Sequence, residues 1–100
     1  MNILLSRILT YLNGKLYIAS VDSLKICIYD LNSATSSEIN PFSELTSQYS
    51  EMVGVEKIDD SNILCWLKNS ASGNNTIVND KFAKLNINSL EYVDLNIEDE

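Results

Sequence analysis

A mainly β, antiparallel fold of about seven to eight short strands is what this sequence predicts. Three observations predict it. Aromatic and β-branched residues gather in runs of strand length, of which Leu16-Tyr17-Ile18-Ala19-Ser20-Val21 and Ile63-Leu64-Cys65-Trp66-Leu67 are the clearest. The runs are separated by Asn, Asp and Ser, whose side chains bond back to nearby backbone groups and so make turns in a chain with only three Gly and one Pro. Several of the connections are short, so neighbouring strands pair as antiparallel hairpins.

The N-terminal stretch has two readings. Leu5, Ile8, Leu9 and Leu12 share one face of a helix over 2–12, and Asn13-Gly14 suits the left-handed residue that ends a helix. The same dipeptide suits a hairpin turn, with Ile8-Leu9-Thr10-Tyr11-Leu12 as the incoming strand. The strand is preferred because the next run would pair with it. After Leu16–Val21, Asp22-Ser23 breaks the chain, and Lys25-Ile26-Cys27-Ile28-Tyr29-Asp30-Leu31 forms the return strand, ended by Asn32-Ser33. Both faces of this hairpin are largely apolar, which predicts layers packed on both sides.

A short edge strand is expected near Ser37-Glu38-Ile39. Asn40-Pro41, with Phe42, Leu45, Tyr49 and Met52 at roughly helical spacing, predicts a short helix near 41–52 or an ordered loop. Ser43, Thr46, Ser47 and Ser50 weigh against the helix. Met52 to Ile58 is the next strand and Asp59-Asp60-Ser61-Asn62 a turn. Ile63 to Leu67 holds the only Trp and reads as a central strand. A long polar loop covers Lys68 to Asp80, with Thr76-Ile77-Val78 as a strand extension. Lys81 to Ile87 and Leu90 to Ile97 are the last two strands.

The chain of 100 residues is one small domain, 45% hydrophobic and thus able to bury a core. Its 14 acids against 7 bases give a net charge of −7, which opposes phosphate backbones and anionic lipid. No nucleic-acid or membrane partner is therefore expected. No run approaches the roughly twenty apolar residues of a membrane span. Met1 to Leu12 lacks the basic start and small-residue cleavage site of a signal peptide. The expected compartment is cytoplasmic, in the protein's own cell or in a host cell. The two cysteines, Cys27 and Cys65, lie inside apolar runs and read as buried free thiols. They would pair only if their strands faced each other. Asn74-Asn75-Thr76 fits a glycosylation acceptor, which has meaning only in a secreted chain.

The chain contains no His, which removes the commonest general base and imidazole metal ligands. Two separated cysteines build no four-Cys zinc site, and no Gly-rich phosphate loop is present. Asp59 and Asp60 lie in a short turn without a spaced third acid, so they read as a hairpin tip. No catalytic, cofactor or metal residues are expected, and the chain reads as a non-enzyme. Tyr11, Tyr17, Tyr29, Tyr49, Tyr92 and Trp66 are mostly core or half-buried sheet residues in this reading. Tyr17 and Tyr29 are the candidate interface residues, on neighbouring strands that would place them as a cross-strand pair.

The two halves of the chain also align. Leu16-Tyr17-Ile18-Ala19-Ser20 matches Ile63-Leu64-Cys65-Trp66-Leu67, and Leu31-Asn32-Ser33 matches Ile87-Asn88-Ser89. Asn13-Gly14-Lys15-Leu16-Tyr17-Ile18 and Ile28-Tyr29-Asp30-Leu31-Asn32-Ser33 resemble inner strands of a β-propeller blade of the general kelch or WD40 type. Ser61-Asn62-Ile63-Leu64-Cys65-Trp66 and Ala83-Lys84-Leu85-Asn86-Ile87-Asn88-Ser89 do so in the second half. The Gly-Gly doublet of kelch and the Trp-Asp and Gly-His of WD40 are missing, so no family site transfers. The resemblance implies two blade-like sheets, in halves 1–40 and 50–98. A complete propeller needs at least about four blades. Two blades close only as an oligomer or as part of a larger chain; the alternative is a generic meander packed differently. The functional expectation is a protein-binding or assembly module, self-associating through sheet edges or apolar sheet surfaces. The alternative is a small acidic inhibitor, for example viral, that occupies a basic site on a host protein.

Overall fold

The computed structural model describes residues 8–20, 23–69 and 80–95. They form eight antiparallel strands in two four-stranded sheets. The first sheet is a meander of β1 (Leu9–Leu12), β2 (Lys15–Ala19), β3 (Ile26–Asp30) and β4 (Thr35–Ile39). The second is a meander of β5 (Tyr49–Asp59), β6 (Asn62–Asn69), β7 (Lys81–Asn86) and β8 (Tyr92–Leu95). Among the described residues no helix is long and apolar enough to cross a membrane.

Leu9–Leu12 is a strand, as its neighbour demands. Asn13 (φ 52°) and Gly14 (φ 81°) form the two-residue turn between β1 and β2. A Cβ on Gly14 would meet only Asn32 Nδ2 at 3.6 Å, so backbone conformation and not space calls for glycine here. Gly14→Ala is expected to cost about 1–2 kcal/mol in urea unfolding, the penalty of a left-handed residue with a Cβ. An unchanged midpoint would contradict this turn.

The expected helix near 41–52 is corrected to a single 3-10 turn at Ser43–Leu45. Its cap position is Phe42, with no side-chain capping bond, and Asn40 does not cap it. The serines and threonine leave the helix without propensity, while Tyr49 and Met52 are drawn into β5 by pairing with Asn69 and Leu67 of β6. The helical reading of 2–7, the Asn74-Asn75-Thr76 acceptor, the strand at Thr76-Ile77-Val78 and the last strand's end at 96–97 lie outside the described residues.

Strands β2–β4 and β6–β8 repeat one another in register, whereas β5 matches β1 only at the hairpin end, because register shifts interrupt its pairing with β6. In the first sheet, Leu12 pairs with Lys15, Leu16 with Tyr29, and Tyr29 with Ser36. In the second, Asp59 pairs with Asn62, Ile63 with Leu85, and Leu85 with Tyr92. One constant shift relates the β2 and β6 positions. A longer one relates β3 and β4 to β7 and β8, because the β6–β7 connection is longer.

The turns repeat as well. Asp30 Oδ1 accepts the N–H groups of Asn32 (2.9 Å) and Ser33 (3.2 Å), and the Ala34 N–H donates to the Asp30 carbonyl at 2.8 Å. Asn86 Oδ1 accepts those of Asn88 (2.8 Å) and Ser89 (2.9 Å), and the Leu90 N–H donates to the Asn86 carbonyl at 2.8 Å. Ala34 (φ 59°) and Leu90 (φ 64°) close both turns in the left-handed conformation.

The N–H groups of Ser33 and Asn32 hold the Asp30 carboxyl below its ordinary value of 3.8, and those around Ser61 and Asn62 do the same for Asp59. A depressed carboxyl adds stability above its unfolded pKa and loses it as pH falls through the folded one. Asp30→Asn keeps an accepting oxygen, as Asn86 does in the second sheet. It is expected to lose less thermal stability than the parent between about pH 5 and about pH 3. Equal losses in melting scans would contradict the role given to this carboxylate.

One continuous core joins the sheets. Leu12, Tyr17, Ala19 and Ile26 come from the first, and Met52, Val55, Ile63, Cys65, Leu67, Ala83 and Leu85 from the second. Leu24 and Phe42 enter from the connections. Polar contacts pin the same junction. The Met52 N–H donates to the Ser23 carbonyl (3.1 Å), the Lys57 N–H to Thr10 Oγ1 (3.2 Å), and Asn13 Nδ2 to the Asp60 carbonyl (3.0 Å).

Candidate functional site

Strand alternation sorts each sheet into two faces. In the first sheet, Thr10, Tyr17, Ile28 and Ser37 lie opposite one another across the strands, as do Ala19, Ile26 and Ile39. This face packs on the second sheet. The other face carries Leu9, Ile18, Cys27 and Glu38 in one row and Tyr11, Leu16, Tyr29 and Ser36 in the next. Among the described residues no element lies over it. Among the described residues, the layer expected on both sides of the hairpin is present on one.

The register separates the two candidate tyrosines. Tyr17 pairs with Ile28 and Tyr29 with Leu16, so the expected cross-strand pair is not made. An offset of one residue in the pairing puts them on opposite faces. Tyr17 is buried at 4% exposure between the sheets, where desolvation raises its phenol pKa. Tyr29 is half-buried on the open face.

Among the described residues the second sheet has an open face too. Leu64, Lys84 and Val93 form one row with Glu56, and Trp66, Phe82 and Leu95 form the next with Gly54. The Trp66 and Phe82 rings stack with centroids 5.5 Å apart. Tyr11 is 56% exposed, Leu9 44% and Val93 58%, so each open face presents large apolar groups to water. These residues were missed as candidates because a run apolar on both faces gives no sign of which face is covered.

Asp80 anchors the edge of the second face. Its buried carboxylate accepts the indole N–H of Trp66 at 2.8 Å and the backbone N–H of Asn69 at 2.9 Å, with Lys68 Nζ 3.8 Å away. It fixes the Trp66 ring and the end of β6 together.

Both cysteines are free. They cannot meet, because Cys27 lies on the open face of the first sheet and Cys65 in the core. The expectation of a buried thiol holds for Cys65, whereas Cys27 is half-buried. Burial pushes the Cys65 thiol up to about 12, leaving almost no thiolate at neutral pH. A thiol reagent is expected to leave Cys65 unmodified until denaturant unfolds the chain; peptide mapping that finds Cys65 labelled in native protein would contradict this burial.

Asp59 sits at a hairpin tip, where its carboxylate accepts the Ser61 N–H at 2.9 Å and the Asn62 amide at 3.0 Å. Among the described residues no group of three or more His, Cys, Asp or Glu side chains is placed to hold a metal ion. Comparison of the chain with family models, curated proteins and solved structures returns no match.

Proposed function

We propose that this chain is a non-enzymatic assembly module that binds protein, in the first place other copies of itself, through the apolar outer faces of its sheets. The observation that carries this reading is the pair of open faces. Leu9, Tyr11, Leu16, Ile18 and Tyr29 lie on one, and Leu64, Trp66, Phe82, Val93 and Leu95 on the other. Large apolar groups gathered on a sheet face, here with Glu38 on the first and Glu56 and Lys84 on the second, mark an interaction site. Faces are favoured over edges: β4, at one edge, reads Thr-Ser-Ser-Glu-Ile and is short and polar, the usual defence against edge pairing.

The sheets are read as two propeller-type blades. Three features support this: the four-strand meander of each, the shared register, and the crossing of residues 40–48 from the end of one sheet to the start of the next. The charge of −7 argues against nucleic-acid or anionic-membrane partners. It also supports a second reading, an acidic ligand for a basic site on another protein, as in a viral inhibitor. Two free thiols suit a reducing compartment, the cytoplasm of the protein's own cell or of a host.

Sedimentation velocity over a wide concentration range tests the choice. Self-association predicts a defined particle heavier than the 11.2 kDa chain. A monomer at every concentration would leave the acidic-ligand reading in its place, tested by steep salt dependence of binding to a basic protein.

A further inference from the structure

We propose that copies of this chain assemble head to tail: the open face of the first sheet in one copy covers the open face of the second sheet in the next. This inference rests on the self-association reading and specifies its geometry.

The shared register determines which surface matches which. Carried across the repeat, the open-face residues Leu16, Ile18, Cys27 and Tyr29 of the first sheet correspond to Ile63, Cys65, Ala83 and Leu85 of the second. Those four are the buried face of the second sheet. The buried residues Tyr17, Ala19 and Ile26 of the first sheet correspond to Leu64, Trp66 and Phe82, which lie on the open face of the second.

The junction within the chain is therefore heterologous: two different faces meet, and one unused example of each remains. The unused pair belongs to the same two classes that already pack against each other. Repeating the junction already present within the chain brings the open second sheet of one copy to the open first sheet of the next. Three of these positions remain apolar, with Leu64, Trp66 and Phe82 standing for Tyr17, Ala19 and Ile26, while Lys84 stands for Ile28. A repeated heterologous contact gives a closed ring when the rotation closes. Radial sheet assemblies close with about four to eight sheets, which corresponds to about two to four copies here.

Tyr11→Lys and Val93→Lys test this in the full chain. Each replaces a side chain more than half exposed in the single chain. Circular dichroism should therefore match the parent, and melting should match it once the parent is diluted to monomer, while the assembly would have to bury an unpaired ammonium. The parent should sediment as a discrete oligomer and each variant alone as a monomer. Mixed in equal amounts, the variants should form a one-to-one dimer and nothing larger, because each supplies the face the other has lost. If Val93→Lys alone still dimerises while Tyr11→Lys does not, first sheets pair with each other. Self-association then stands and the head-to-tail geometry falls. It falls equally if the parent assembles but the mixture stays monomeric. A parent that is monomeric throughout overturns both readings.

Discussion

Phe42→Ala is expected to lower stability by about 3–5 kcal/mol, the usual range for truncating a fully buried aromatic ring. For a domain of this size that is a large share of a total of about 5–15 kcal/mol. Phe42 is at 0% exposure, although it belongs to the connection between the sheets and not to a strand. Its ring lies 4.8 Å from the Tyr92 ring, centroid to centroid. The Tyr92 hydroxyl in turn donates to Glu44 at 3.0 Å, fastening the 3-10 turn to β8. Removing the ring opens a cavity where both sheets and the crossing segment meet. Urea unfolding with an unchanged slope would register the loss as a shifted midpoint. A change below about 1 kcal/mol would mean that the crossing segment does not hold the junction.

Asp80→Ala is expected to cost about 2–3 kcal/mol, because hydrogen bonds to a charged acceptor are the strong ones and their donors stay behind. The indole N–H of Trp66 and the backbone N–H of Asn69 both lose their acceptor. Trp66 is the only tryptophan, so its emission reports the site directly. A red shift at the native baseline should accompany the loss of stability. Asp80→Asn retains one accepting oxygen and should fall between the parent and Asp80→Ala. If both variants matched the parent in emission and unfolding, the anchor would be unsupported.

Much of the fold was legible because its signals are local. Strand-length runs, Asn and Ser turns and short connections define hairpins within a few residues of themselves. The match between Leu31-Asn32-Ser33 and Ile87-Asn88-Ser89 reflects a shared backbone scheme. The side chain preceding each triplet, Asp30 or Asn86, accepts the same two N–H groups.

What could not be read depends on partners distant in sequence. The periodicity of Phe42, Leu45, Tyr49 and Met52 suggested a helix, but two of the four belong to a strand whose partner lies beyond the next turn. Tyr17 and Tyr29 looked alike in the sequence. Only the pairing register sends one into the core and leaves the other on the open face. The importance of Asp80 was hidden at the end of a polar loop, because its indole partner lies on β6.

The labelling rate of Cys27 as a function of protein concentration tests the central claim most directly, since this thiol lies in the row of Leu9, Ile18 and Glu38 on the first open face. If a second copy covers that face, the rate should fall as the parent is concentrated and stay constant in Tyr11→Lys. A rate in the parent that is the same at every concentration would contradict the claim.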